Sequence, residues 1–96
     1  MITTKERSIL KKIAHPLKPE CQIGKGGITE ALLAQIAECL YHKELIKIKV
    51  LQNAPVVAKE VINEMAETLG AQPVSAIGGI ITLYKESEKE GIVHVM

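Results

Sequence analysis

Apolar residues along the chain fall into three stretches with helical spacing and four with the spacing of strands. Ile9, Leu10 and Ile13 recur every three or four positions, which predicts a helix capped by Thr4 and running to about Ala14. Pro16 and Pro19 then hold His15-Pro16-Leu17-Lys18-Pro19 extended, because the residue before a proline is pushed out of the helical region. Cys21-Gln22-Ile23 is a short apolar run with the character of a strand. Thr29 is placed to cap a second helix reaching about His42, with Leu32, Leu33, Ile36, Ala37 and Leu40 as its apolar stripe. Residues 45–51 alternate with period two, putting Ile46, Ile48 and Val50 inward and Lys47 and Lys49 on the other face. Pro55 suits the first turn of a third helix. Its buried face is Ala58, Val61, Ile62, Met65 and Leu69, and Gly70 stops it. Residues 74–77 and 80–84 flank Gly78-Gly79, a two-residue hairpin signal. Beyond them residues 86–96 are charged and then briefly apolar, either a frayed end or a weak extra strand.

The predicted order is therefore α-β-α-β-α-β-β. A strand–helix–strand unit implies parallel pairing, and the closing hairpin adds an antiparallel partner. The expected fold class is α/β: one domain over residues 1–96, with a four-stranded mixed sheet and at least two helices on one face. The first helix fits either that helical layer or the opposite face of the sheet. A domain of this length buries roughly 60–70% of its extended-chain surface, enough for one modest core.

Composition narrows the chemistry. All 11 acidic residues are Glu, so mechanisms that need an Asp nucleophile, an Asp cage for a metal or an Asp in a triad have no candidate. The only aromatic residues are Tyr41 and Tyr84, which argues against base stacking along an aromatic row. No apolar run approaches the roughly 18 residues that would span a membrane. The first residues lead into a charged amphipathic pattern instead of a signal-peptide core, so a cytoplasmic protein is expected. Cys21 and Cys39 lack metal-ligand spacing and read as reduced core thiols. The net charge of +1 conceals an asymmetry. Residues 1–26 carry six Lys or Arg against two Glu, and residues 27–96 carry six Lys against nine Glu. The basic first quarter suits a polyanion, or is an ordinary solvated helix face.

Gly24-Lys25-Gly26-Gly27, between a strand and a helix, carries the most information. Glycines permit positive φ and close approach of a ligand, and a helix start offers unpaired N–H groups and a positive dipole end. Lys25 adds a cation at the tip. The segment is not a Walker loop, and Thr29 stands where a dinucleotide fingerprint needs its third glycine. What fits is G-x-x-G, the loop that clamps a nucleotide backbone in KH-type modules, or else a tight turn that needs glycines only for its shape.

Several blocks in order carry a resemblance to a known family. His15-Pro16-Leu17-Lys18-Pro19 and Ile23-Gly24-Lys25-Gly26-Gly27-Ile28-Thr29-Glu30 resemble the signature of the CRM domain, in particular its stand-alone bacterial YhbY form. His42-Lys43-Glu44-Leu45-Ile46-Lys47-Ile48-Lys49 resembles the family's second strand and its entry. Gly70-Ala71 and the blocks from Ile77-Gly78 to Leu83-Tyr84-Lys85 resemble its final hairpin. The similarity spans roughly residues 3–85. It implies a fold similar to the C-terminal domain of translation initiation factor three with a KH-like GxxG loop, no cofactor, and RNA binding through large-ribosomal-subunit precursors. The loop role carries over to Gly24, Lys25, Gly26, Gly27 and Thr29, and the basic surface to Lys18, Lys11, Lys12 and Lys47. Two positions depart from the pattern and thin the cations near the hairpin: Gly79, where relatives often have a basic residue, and Lys85, where many have Arg.

The expectation is thus a monomeric RNA-binding module, not an enzyme, with rRNA as partner and no catalytic or metal site. His15, His42 and His94 show no helical ligand spacing, and Glu60, Glu64 and Glu67 follow one polar helix face. Lys47 and Lys49 are either solvated edge charges or an RNA-facing pair. Tyr84 reads as half-buried packing before it reads as a stacking platform. Two alternatives use the same residues differently: a small nucleotide- or phosphate-ester-handling protein built on the loop, and a protein–protein adaptor using the acidic C-terminal two-thirds.

Overall fold

The computed structural model describes residues 2–92, 94 and 95. Helix α1 spans Thr4–Ala14, α2 Glu30–Lys43 and α3 Ala58–Leu69. The strands are β1 Cys21–Ile23, β2 Leu45–Val50, β3 Gln72–Ile77 and β4 Ile80–Tyr84, giving the α-β-α-β-α-β-β order. They form one mixed sheet in the order β1-β2-β4-β3. β1 pairs parallel with β2, with Cys21 opposite Ile48, and β4 runs antiparallel to both β2 and β3. The closing hairpin thus turns inward, so that β4 lies between β2 and β3.

Period-two alternation in β2 is used on both faces of the sheet. Ile46 and Ile48, with Ile81 and Leu83 of β4, pack against Ile36 and Leu40 of α2 and Ile62 and Met65 of α3. Leu45, Tyr84 and Val74 point the other way and are covered by Leu10 and Ala14 of α1. The first helix therefore lies on the face opposite α2 and α3. It is capped by Thr3, not Thr4: the Thr3 hydroxyl accepts from the Glu6 amide at 3.0 Å while Glu6 Oε1 accepts from the Thr3 amide at 2.9 Å. This reciprocal box satisfies two end donors that a cap one residue later would leave open. Its buried side is Leu10 and Ala14, and Ile9 is 40% exposed, because α1 crosses only part of the sheet.

Other departures from the apolar pattern are local. Pro55 lies three residues ahead of α3, whose N-cap Val57 makes no side-chain cap bond. Ala37 faces outward on α2, and Ala66 is buried on α3 while Val61 and Leu69 are half-buried. Strand β3 begins at Gln72, and its pairing skips Val74 between Pro73 and Ser75. The extra residue is a bulge on an edge strand, where Pro73 is tolerated. Gly78 and Gly79 have φ of +58° and +78°, the two positive angles that a tight hairpin turn of this kind demands.

After β4 no further strand forms among the described residues; the chain folds back instead onto the junction of α2 and β2. Glu44 there is fully buried at φ +63°. Its carboxylate accepts from the Ser87 amide at 2.6 Å and the Val95 amide at 3.0 Å, and lies 2.6 Å from His94 Nδ1. Burial raises the Glu44 carboxyl, but the Ser87 N–H, His94 and the Val95 N–H outweigh it and hold it below the usual carboxylate range.

Candidate nucleic-acid interface

The turn at Gly24–Gly27 follows directly from β1. The Gly27 amide donates to the Gly24 carbonyl at 2.9 Å, which places Lys25 and Gly26 at the corners. Gly27 has φ +70°, and a Cβ there would come within 3.1 Å of Pro55 Cγ. Gly26 differs: a Cβ there would meet nothing within 4 Å, so its lack of a side chain is not required by the packing of the chain. Thr29 caps α2 as expected, its hydroxyl accepting from the Leu32 amide at 3.1 Å. The turn thus leads within three residues into the start of α2, where a helix leaves its first amides without intrahelical partners, and Lys25 at the corner is exposed. Glu30 puts a carboxylate on the same first turn, so the cation at Lys25 is what tips this corner toward anions.

Two other loops end beside it. The Leu51 amide donates to the Ile23 carbonyl at 2.9 Å, and the Val50 amide to the Gly79 carbonyl at 2.7 Å. The glycine turn, the segment after β2 and the hairpin tip thus gather at one end of the sheet. The C-terminal turn of α1 reaches toward this end on the opposite face. There Lys11, His15 and Lys47 line a groove of about 310 Å³ with Thr82, Ile77 and Ile80. Lys47 Nζ donates to the His15 carbonyl at 3.1 Å, so it also ties the proline-held link to the sheet. Lys12 is exposed on α1 outside that groove, and Lys18 is exposed in the link.

Lys49 belongs with these residues. Its register pairs it with Gln22 of β1 and Ile80 of β4, on the face that carries Lys47 and at the end of that face that α1 does not cover. The alternation of β2 places both lysines on one face, but only the position of α1 exposes that end of it. Ile77 beside it is 68% exposed.

The two sides of the sheet differ in charge. Helix α1, the link to β1 and the open face of β2 carry Lys5, Arg7, Lys11, Lys12, Lys18, Lys47 and Lys49 against Glu6 and Glu20. Helices α2 and α3 carry Glu30, Glu38, Glu60, Glu64 and Glu67 against Lys43 and Lys59. Lys43 is engaged by Glu20 at 2.6 Å, and that carboxylate raises its pKa. Net charge near zero is therefore a near-cancellation between two faces, with the glycine turn at their seam.

Residues that could do covalent or acid–base chemistry are scattered. Among the described residues no three His, Cys, Asp or Glu side chains gather as a metal site. His42 lies beside Glu38 and Lys89, and His94 beside Glu44. Cys21 and Cys39 meet at 3.8 Å as free thiols, a contact that only the packing of β1 on α2 creates. Tyr84 is buried under α1, more deeply than half-buried packing, and is not available as a stacking platform. No helix among the described residues is long and apolar enough to cross a membrane.

Comparison with known proteins agrees with this arrangement. The family model for the CRS1 / YhbY (CRM) domain matches residues 2–85. A Bacillus subtilis protein named probable RNA-binding protein YqeI is 42% identical over 89 residues, covering 93% of each chain. A Haemophilus influenzae protein named RNA-binding protein is 38% identical over 91 residues, covering 95% of this chain and 92% of its own. The solution structure of the hypothetical protein SAV1595 from Staphylococcus aureus superposes with a TM-score of 0.70 at 40% identity, over 94% of each chain. The glycine-turn block and the final hairpin lie within the matched residues, and the fold-back over Glu44 begins just after them. The chain belongs to the CRS1/YhbY (CRM) domain family.

Proposed function

We propose that this protein is a monomeric, cytoplasmic RNA-binding module without enzymatic activity, which holds RNA by its phosphate backbone and associates with precursors of the large ribosomal subunit. The observation that carries the reading is the turn at residues 24–27: free amides at a helix start, a cation at the tip, and a basic face adjoining it. A phosphate sits against the Lys25 and Gly26 amides and the Lys25 ammonium. Lys11, Lys12, Lys18 and Lys47 continue the contact along the strand that follows. Shape and backbone charge dominate such recognition, since the buried Tyr84 offers no stacking surface. Names given to the relatives support RNA as the ligand class.

Gly26→Ala and Lys25→Glu test the loop. The alanine Cβ meets nothing in the protein, so any loss of affinity reports close approach by the ligand. The expected results are a loss of about tenfold or more for Lys25→Glu with an unchanged melting curve, and a smaller loss for Gly26→Ala. With about five phosphates neutralised, affinity for single-stranded RNA falls roughly a hundredfold between about 50 and 200 mM salt. Undiminished binding by both variants at matched stability refutes the loop's role. Sedimentation with large-subunit precursors, followed by crosslinking through a peptide containing Lys25, tests the assembly role, and a protein confined to the top of the gradient counts against it.

A further inference from the structure

The acidic side of the molecule holds a groove that opens under the glycine turn, with Gly26 and Gly27 at its upper end. It runs between α2 and α3 beneath the glycine turn, with a volume of about 550 Å³. Its walls are apolar: Ile28 and Leu33 on one side, Val56, Val61 and Met65 on the other. Leu33, Val56 and Val61 are only half-buried, so aliphatic surface meets water here. Glu64 lines the groove, and the exposed Glu60 and Glu67 lie on the adjoining turns of the same helix. Glu30 stands at the start of α2, and Lys59 is the one cation on α3.

We propose that this groove docks a polypeptide segment that is cationic and carries apolar side chains, leaving the lysine face on the other side of the sheet free for RNA. The charge on each side selects its partner. A phosphate backbone laid along α3 would face Glu60, Glu64 and Glu67 with only Lys59 to meet it, whereas lysines or arginines flanking an apolar anchor complement that rim. An apolar floor ringed by polar side chains is the anatomy of a small protein-recognition site, in which a few aliphatic anchors are enclosed by a charged rim. The two sites lie on opposite faces of the sheet and meet at the glycine turn, so the protein can join a basic protein segment to an RNA. The proposal stands on the apolar walls and the acidic rim of the groove, and it shares only Gly26 and Gly27 with the phosphate site of the RNA reading.

The test uses the full chain with labelled methyl groups, titrated with a short peptide of alternating lysine and leucine. Controls are the same peptide with its leucines replaced by serine and a single-stranded RNA oligonucleotide. The lysine–leucine peptide is expected to shift the Ile28, Leu33 and Val61 methyl signals saturably. Reversing charge in Glu60→Lys together with Glu64→Lys, both exposed and with no side-chain ion pair among the described residues, is expected to weaken it about tenfold. The serine peptide is expected to bind at least as weakly. Three results overturn the proposal: equal binding by the serine peptide, indifference to the charge reversal, or groove methyls that move with the RNA and not with the peptide. The last would assign the groove to unpaired nucleobases.

Discussion

Glu44→Gln is the substitution that most directly tests how the chain after β4 is held. The wild-type carboxylate is fully buried and takes the Ser87 and Val95 amides on its two oxygens, with His94 Nδ1 beside the first. Glutamine keeps one oxygen and presents an NH₂ at the other, so one backbone donor faces a second donor. A bond to a charged acceptor contributes about 1.5–3 kcal/mol, and the surviving bond loses its charge assistance. The His94 pairing adds little to this sum, because that side chain is 46% exposed and screened. The expected loss is about 2 kcal/mol, or roughly 8–16 °C in melting temperature for a chain of this size.

The pH dependence has a definite sign. The folded Glu44 carboxyl lies below its ordinary value, so its stabilisation is complete above the unfolded pKa of about 4.3 and is lost as pH falls through the lowered folded value. Urea unfolding followed by circular dichroism at neutral and acid pH should show parent and variant far apart at pH 7 and converging in acid. Amide exchange at Ser87 and Val95 should accelerate in the variant, which locates the loss in the fold-back. A variant as stable as the parent at pH 7 with both amides still protected, or a stability gap that does not narrow in acid, refutes the reasoning.

Two further substitutions and one labelling experiment test other parts of the structure. Gly27→Ala is expected to cost about 1–2 kcal/mol in urea unfolding, since φ is +70° and Pro55 Cγ stands 3.1 Å from the new methyl, while Gly26→Ala stays within about 0.5 kcal/mol of the parent. Equal costs would mean that the turn is not shaped as described. Burial, with the contact to Cys39, pushes the Cys21 thiol up to about 12, so it stays protonated and unreactive at pH 8. Iodoacetamide should label Cys39 first and Cys21 only on unfolding, as read by peptide mass; equal rates would contradict the packing of β1 on α2.

Much of this molecule is written locally in the chain. Three helices, four strands and the hairpin follow from spacing and from the residues that start and stop elements: Thr29 before α2, Gly70 after α3, and Gly78-Gly79 in the turn. Those signals act over a few residues, through backbone angles and neighbouring amides, so reading the sequence in windows finds them. The glycine turn was visible for the same reason, because its residues are contiguous.

What depends on partners distant in sequence could not be read that way. Whether α1 lay beside α2 or across the sheet turned on Leu10 and Ala14 meeting Leu45, Val74 and Tyr84, contacts that no window contains. Glu44 stood in the sequence only as part of the entry to the second strand; the return of Ser87 and Val95 made it a buried acceptor. Lys49 gained its place among the basic residues only because α1 leaves that end of the face open. Spacing and composition along the chain were enough to place the elements and the sign of charge each carries. Tertiary structure alone decided which faces they present, because burial and charge separation are set by long-range packing that leaves no local trace.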